Sequence, residues 1–321
     1  KYINSMPYTL TGAQKIGRKE IEKDLECGKV MNRLVQGDVG SGKTAVAEIA
    51  MYKAVKSGYQ AVLMAPTEIL ARQHFESISR AFKYHGIEVG FLTGSMKAAD
   101  KRATLEKIKE GSFQIIIGTH AVIQPDVEFK RLGLVITDEQ HRFGVRQRVK
   151  LKEKGRNPNV LVMTATPIPR TLSVVLSGDL DVSVIDELPP GRKPIKTKWI
   201  ATIEETKTMY EFIGKKLFQG RQAYFVAPLI EESEKLAAKS TEELLEEVSK
   251  YLPDYRIGVL HGRMKNAEKD EIMSRFKNKE LDIMVSTTVI EVGVDVPNAT
   301  VMVINNAERF GLSALHQLRG R

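Results

Sequence analysis

Cysteine is almost absent from this 321-residue chain. Cys27 stands alone, so no intrachain disulfide can form and a cysteine-based metal cluster is excluded. The six histidines show no zinc-like pairing. No apolar run approaches the ~20 residues needed to cross a bilayer, and the N-terminus lacks a signal-peptide pattern. No short-period repeat or low-complexity tract is present. These absences point away from membranes and toward a reducing compartment, so a cytoplasmic location is expected. The sequence starts at Lys1 without Met, which leads us to expect a piece of a longer protein.

What is present fits a globular protein with real cores: 42% hydrophobic and 28% charged residues, in a length that suggests about two domains. Lys and Arg number 49 against 40 Asp and Glu, and the net charge of +9 is compatible with a polyanionic partner such as nucleic acid.

The first half alternates strand-like apolar runs (31–35, 61–65, 89–92, 115–118, 134–137 and 160–164) with helical stretches (44–56, 68–84 and 98–109). That alternation predicts βα units and a parallel sheet with helices on both faces. The stretch Leu188-Pro189-Pro190-Gly191-Arg192-Lys193-Pro194 is stiff and polar and reads as a linker. Alternation resumes with strands at 197–201, 223–227, 257–260, 283–286 and 301–304. A charged helical stretch lies at 231–249, whose acidic run reads as a solvated helix face. The expected domains are 1–190 and 191–321.

Gly37-Asp38-Val39-Gly40-Ser41-Gly42-Lys43-Thr44 matches G-x-x-x-x-G-K-[ST] between an apolar run and a helical one. Glycines let the backbone curl so that successive N–H groups converge on phosphate oxygens, and the following helix offers its positive dipole end. Lys43 would reach the β- and γ-phosphates, and the Thr44 hydroxyl would bind Mg²⁺. Downstream, the apolar strand Leu134-Val135-Ile136-Thr137 ends in Asp138-Glu139. Ligands bind beyond the carboxyl ends of parallel strands, so both acids should face the loop's crevice. Asp138 is the expected Mg²⁺ ligand, and Glu139 the general base or positioner of the attacking water.

Asp138-Glu139-Gln140-His141 resembles the D-E-x-H box of superfamily 2 helicases and translocases, and further segments follow that family's order. Gln14 resembles the upstream glutamine that reads adenine. Ala65-Pro66-Thr67-Glu68-Ile69-Leu70-Ala71 resembles motif Ia, and Thr93-Gly94-Ser95 and Gly118-Thr119-His120 resemble later strand-contacting motifs. Thr164-Ala165-Thr166-Pro167 is similar to motif III, Ser286 to Asp295 to motif V, and Gln317-Leu318-Arg319-Gly320-Arg321 to the opening of motif VI. The stretches 138–148, 164–171 and 186–193 resemble RecG-type helicases in particular. Gln140 and Gln147-Arg148 favour them over the transcription-repair coupling factors.

The resemblance implies an α/β fold of two tandem RecA-like domains, with parallel sheets flanked by helices. The final strand of such a second domain usually follows motif VI, so its absence here is expected. ATP and Mg²⁺ are the implied cofactors, bound at the interface of the two domains. Gln14, Gly37, Gly40, Ser41, Gly42, Lys43, Thr44, Gly293 and Asp295 would hold the nucleotide, and Arg321 would stabilise the transition state. Gln140, His141, Thr164 and Thr166 would couple the γ-phosphate site to the rest, a buried and merely hydrogen-bonded His141 being the alternative. DNA contact should be mostly to the phosphate backbone, because a motor that steps along any sequence cannot depend on base readout. Thr67, Arg72, Thr93, Ser95, Thr119, His120, His261, Arg263, Thr287 and Thr288 are the candidates. The basic run Arg142, Arg146, Arg148, Lys150, Lys152 and the adjoining Phe143 face DNA, the other domain, solvent or the core.

The implied activity is DNA-dependent ATP hydrolysis driving a double-stranded DNA translocase that remodels stalled replication forks and branched recombination intermediates. The alternatives are a coupling-factor-like duplex translocase, and a nucleotide- and DNA-binding fragment with little turnover. A single-stranded-DNA-binding protein is an implied partner through other regions of the full-length protein.

Overall fold

The computed structural model describes residues 2–138, 157–165, 180–189, 195–228, 234–262, 264–287 and 296–320. The chain divides into two compact units, Lys1–Lys193 and Pro194–Arg321.

The first unit runs α1 (Tyr2–Ser5), α2 (Gly12–Glu26), β1 (Asn32–Gly37), α3 (Lys43–Lys56), β2 (Gln60–Met64), α4 (Glu68–Phe82), β3 (Val89–Leu92) and α5 (Ala98–Glu110). It continues with β4 (Ile115–Gly118), β5 (Leu132–Asp138), β6 (Asn159–Thr164) and β7 (Asp181–Ile185). Its strands form one seven-stranded sheet in the order β3-β4-β2-β5-β6-β1-β7. Every pairing is parallel. The central strands are buried along their whole length, as β2 and β4 are, because helices cover both faces. Ala61, Leu63, Ile115, Ile117, Leu134 and Ile136 point to the face packed by α2, α3 and α4. The alternate residues Val62, Met64, Ile116 and Val135 meet Ile108 of α5 on the other. That two-residue alternation fixes the register of each strand.

The second unit contains α6 (Ile203–Phe218), β8 (Gln222–Ala227), α7 (Glu234–Tyr251), β9 (Ile257–Leu260), α8 (Asn266–Lys277), β10 (Ile283–Thr287), β11 (Ala299–Ile304) and α9 (Leu312–Arg319). Its four strands pair in parallel in the order β11-β8-β10-β9. Phe225, Ile283 and Val285 pack against Tyr210 and Ile213 of α6 and Val248 of α7, while Tyr224 and Met284 pack on Phe276 of α8. On α7, Leu244 and Val248 are buried while Glu242, Glu243 and Glu246 are exposed, so the acidic run is a solvated face.

Two elements depart from the sequence expectation. The strand expected at 197–201 does not form. That segment is extended but unpaired, with Trp199 84% exposed, and Ala201 N–H turns to Glu205 Oε2 (2.9 Å), where the α6 capping box begins. The patterning there is amphipathic, but no neighbouring strand among the described residues takes up its backbone groups. Conversely, β7 forms on the edge beside β1, where Asp181-Val182-Ser183-Val184-Ile185 buries only Ser183 and Ile185. Such a short, half-polar edge strand gives too weak a hydrophobic signal to read.

Candidate functional site

The expected phosphate loop leaves the carboxyl end of β1 and enters α3 (Lys43–Lys56). Gly42 caps α3 in the left-handed region (φ 85°), where a side chain would be strained and would also collide with the Gln14 amide. A Cβ on Gly37 would stand 2.6 Å from Ser41 Oγ and 2.7 Å from the Ile185 carbonyl. The loop therefore closes this tightly only with glycine at both places. Lys43 Nζ is folded back into the loop, donating to Gly37 O (2.7 Å) and Asp38 O (2.9 Å). No acidic residue sits in the first turn of α3, and no side chain caps it. Among the described residues no side chain thus competes for the positive end of α3, an arrangement that suits an anion. Ser41 Oγ, a buried polar atom, finds no hydrogen-bond partner among the described residues.

Gln14 lies on α2, 2% exposed, and both ends of its amide are engaged. Oε1 accepts from Thr11 N–H (3.0 Å) in a capping box, and Nε2 donates to Ser41 O (2.7 Å). The side chain expected to read a base thus also braces the phosphate loop. Beside it, Ile3, Pro7, Tyr8, Leu10, Lys15 and Arg18 line a cavity of about 610 Å³. Its mixed apolar and cationic wall suits a flat polar ring.

Asp138 ends β5, one strand away from β1, with Thr164 at the end of the intervening β6. At ~4.8 Å per strand, the loop and the carboxylate are about 10 Å apart along the edge. Thr44 and Asp138 are hard oxygen donors of the kind Mg²⁺ takes, on the same edge as the Lys43 cation and the unsatisfied Ser41 hydroxyl. The residues present fit a metal–nucleotide pair.

Behind Asp138 lies a set of residues that the sequence did not flag. His74 Nε2 of α4 is 2.8 Å from Asp138 Oδ2, with both side chains about one-tenth exposed. An ionised carboxylate only accepts, so His74 donates from Nε2. Glu48 of α3 is buried at 5% exposure and accepts from the Tyr2 hydroxyl (2.8 Å). Burial pushes the Glu48 carboxyl up from its ordinary range, against the pull of the Tyr2 hydrogen bond and of His74. The available signal was position: His74 falls on the buried stripe Leu70, Ala71, Ile78 and Phe82, and Glu48 lies among buried alanines. A polar residue on an apolar stripe marks a buried contact.

The candidate DNA residues of the first unit sit on the same carboxyl edge, beyond β2, β3 and β4. Thr67 N-caps α4 through its hydroxyl (3.3 Å to Leu70 N). Thr67, Thr93 and Thr119 are buried, whereas Arg72, Ser95 and His120 are exposed. Ser95 Oγ lies 2.5 and 2.7 Å from the two Glu68 oxygens, and Arg72 is 3.7 Å from one of them while its guanidinium covers the Phe91 ring. In the second unit His261 and Thr287 follow and end the neighbouring strands β9 and β10. Among the described residues the buried His261 Nδ1, Ser286 Oγ and Thr287 Oγ1 find no hydrogen-bond partner. Glu139, Gln140, His141, the basic run 142–152 with Phe143, Thr166, Arg263, Thr288, Gly293, Asp295 and Arg321 lie outside the described residues. Among the described residues no helix is long and apolar enough to cross a membrane.

Comparison with known proteins matches this architecture. The DEAD/DEAH box helicase family covers residues 15–175, and the helicase conserved C-terminal domain covers 205–321. The chain is 57% identical to the ATP-dependent DNA helicase RecG of Streptococcus pneumoniae over 99% of its length and 47% of that protein's. It is 52% identical to RecG of Bacillus subtilis over 100% and 47%. It thus spans about half the length of the curated relatives it matches. A solved structure of RecG bound to a three-way DNA junction superposes with a TM-score of 0.83 at 46% identity, covering all of this chain and 42% of that one. Saccharomyces cerevisiae Dbp5 bound to RNA and ADP BeF3 shares the fold at 17% identity and a TM-score of 0.67, over 97% and 84%. The chain belongs to the DEAD/DEAH box helicase family and is homologous over its whole length to RecG.

Proposed function

We propose that this chain is the motor core of an ATP-dependent double-stranded DNA translocase that remodels branched DNA such as stalled forks and recombination intermediates. The observation that carries the reading is the carboxyl edge of the first sheet. Lys43 and the open α3 N-terminus stand there one strand away from Asp138, in line with the exposed Arg72, Ser95 and His120. Homology to RecG supports branched DNA as the substrate class, since one such protein is solved on a three-way junction.

In this reading the loop N–H groups and Lys43 bind the phosphates, Ser41 gains the partner it lacks, and Thr44 and Asp138 hold Mg²⁺. Held by Thr44 and Asp138, the metal would supply neutralisation of the phosphate charge. Glu139 positions water, Gln140, His141, Thr164 and Thr166 link hydrolysis to the strand-contacting loops, and Gly293, Asp295 and Arg321 complete the nucleotide contacts. Thr67, Thr93, Thr119, His261, Arg263, Thr287 and Thr288 add backbone-phosphate contacts. The cytoplasm is the compartment, and a single-stranded-DNA-binding protein is a partner reached through other segments of the full-length protein.

ATP turnover measured with and without forked duplex DNA, beside Lys43→Ala, tests the reading. Stimulation by DNA that vanishes in the variant supports it. A chain that binds neither nucleotide nor DNA overturns it.

A further inference from the structure

We propose that His74 is a positioning residue that orients the Asp138 carboxylate toward the metal and ties that carboxylate to α4 (Glu68–Phe82), the helix whose first turns carry Thr67 and Arg72. The proposal rests on the nucleotide reading above.

Three observations carry it. First, the His74–Asp138 contact is short (2.8 Å) and shielded, with side chains 10% and 12% exposed. It joins residues 64 positions apart, from a helix to the tip of a strand. A hydrogen bond donated to Oδ2 restrains the carboxylate about its terminal torsion, and that torsion decides whether the other oxygen faces a cation. Second, a buried polar pair on the neighbouring helix anchors the same core: Glu48 on α3 is 5% exposed and accepts from the Tyr2 hydroxyl (2.8 Å). Tyr2 is in turn fixed by stacking on Tyr52 and Phe82 (centroids 5.1 and 4.9 Å). Two buried polar pairs, Tyr2–Glu48 and His74–Asp138, thus sit on α1, α3, α4 and β5, and α3 is also the helix that carries Lys43 and Thr44. Third, nothing in simple packing calls for a histidine here. Its neighbours on the α4 stripe are Leu70, Ala71, Ile78 and Phe82, where an apolar residue would bury at lower cost.

Ligating carboxylates are themselves hydrogen-bonded in metal sites, and loss of such a partner typically costs 10–100-fold in metal affinity or activity. The test is Mg²⁺ dependence of ATP binding, read by a fluorescent ATP analogue titrated into the 321-residue chain with and without Mg²⁺. Thermal unfolding is followed in parallel. His74→Leu removes the donor and keeps the apolar stripe. His74→Gln retains an N–H donor near the position of Nε2. The expected result is a rise of about 10-fold in half-saturating Mg²⁺ for His74→Leu, unchanged metal-free binding, and restoration by His74→Gln.

Equal loss of metal-free and metal-dependent binding in His74→Leu would show a merely structural role and overturn the proposal. An unchanged Mg²⁺ requirement would overturn it too. If His74→Leu does not fold, His74→Gln alone decides: a parental Mg²⁺ requirement supports the proposal, and a 10-fold rise in a folded protein contradicts it. Failure of the parent chain to bind ATP at all would instead remove the nucleotide reading, and this inference with it.

Discussion

Along the carboxyl edge of the first sheet, the β1 side is a buried cage and the β2–β4–β3 side is a row of polar tips in solvent. In the cage, Gln14, Ser41 and Lys43 are all less than one-tenth exposed, and the Gln14 and Lys43 side chains are held by backbone carbonyls of the loop itself. On the other side Arg72, Ser95 and His120 are open, and the side-chain contacts of Arg72 and Ser95 among the described residues are with neighbours on the same surface, Glu68, Phe91 and Thr93. The difference matches two kinds of phosphate. A reacting phosphate needs donors fixed in advance in a dry site, where each is worth most. A polymer backbone gripped and released at every step needs exposed, replaceable contacts whose strength falls with salt. Asp138 lies between the two sides, and His74 joins it to the helix of the second.

Four changes break or sharpen this contrast. The largest effect is expected for Lys43→Ala. Removing the Lys43 cation from the cage should lower ATP turnover by about 10²–10³-fold, or ~3–4 kcal/mol of transition-state stabilisation, in a steady-state assay. Next is Gly118→Ala at the end of β4. The added methyl runs into the Leu92 carbonyl of β3, backbone that cannot step aside, so unfolding by denaturant should show a loss of about 1–3 kcal/mol. DNA affinity should fall with it, because both strands lead into the exposed row.

Tyr2→Phe should cost ~1–2 kcal/mol by deleting the donor to buried Glu48, and the cost should depend on pH. Glu48 already titrates above its unfolded value, so the folded state holds its proton more tightly. That contribution is present at pH below the ordinary glutamate range and is lost as pH rises through the folded value. Without Tyr2 the folded value moves further up. Thermal unfolding of variant and parent should therefore agree better near pH 4 than near pH 8, and an equal gap at both would contradict the assignment. The smallest effect is Thr67→Ala, which loses the α4 N-cap at about 1 kcal/mol of stability.

Legibility followed the same division. The turn from β1 into α3 could be read from sequence because the motif dictates residue type and spacing together: glycine at a left-handed position, then lysine and threonine opening a helix. The place of Asp138 at the end of β5 could be read because a buried strand ending in acid is a one-dimensional pattern. Most strands were placed within a residue or two because both faces are covered and the apolar runs are continuous, as at Ile115–Gly118. His74 and Glu48 escaped because their meaning depends on which helices pack together, which no local spacing records. The strand expected at 197–201 failed for the related reason that alternation shows a segment could pair but not whether a neighbour exists. Gln14 was placed on the nucleotide by resemblance, and its grip on Ser41 O emerges only from the fold.

The most direct test of the divided edge is a pair of binding measurements without turnover: ATP affinity and forked-DNA affinity for Lys43→Ala and for the double variant Arg72→Ala, His120→Ala. The account predicts that Lys43→Ala loses ATP and keeps nucleotide-free DNA binding. It predicts the reverse for the double variant, with a shallower salt dependence of DNA binding. Loss of both ligands in each folded variant would mean the edge is one undivided site, contrary to the account.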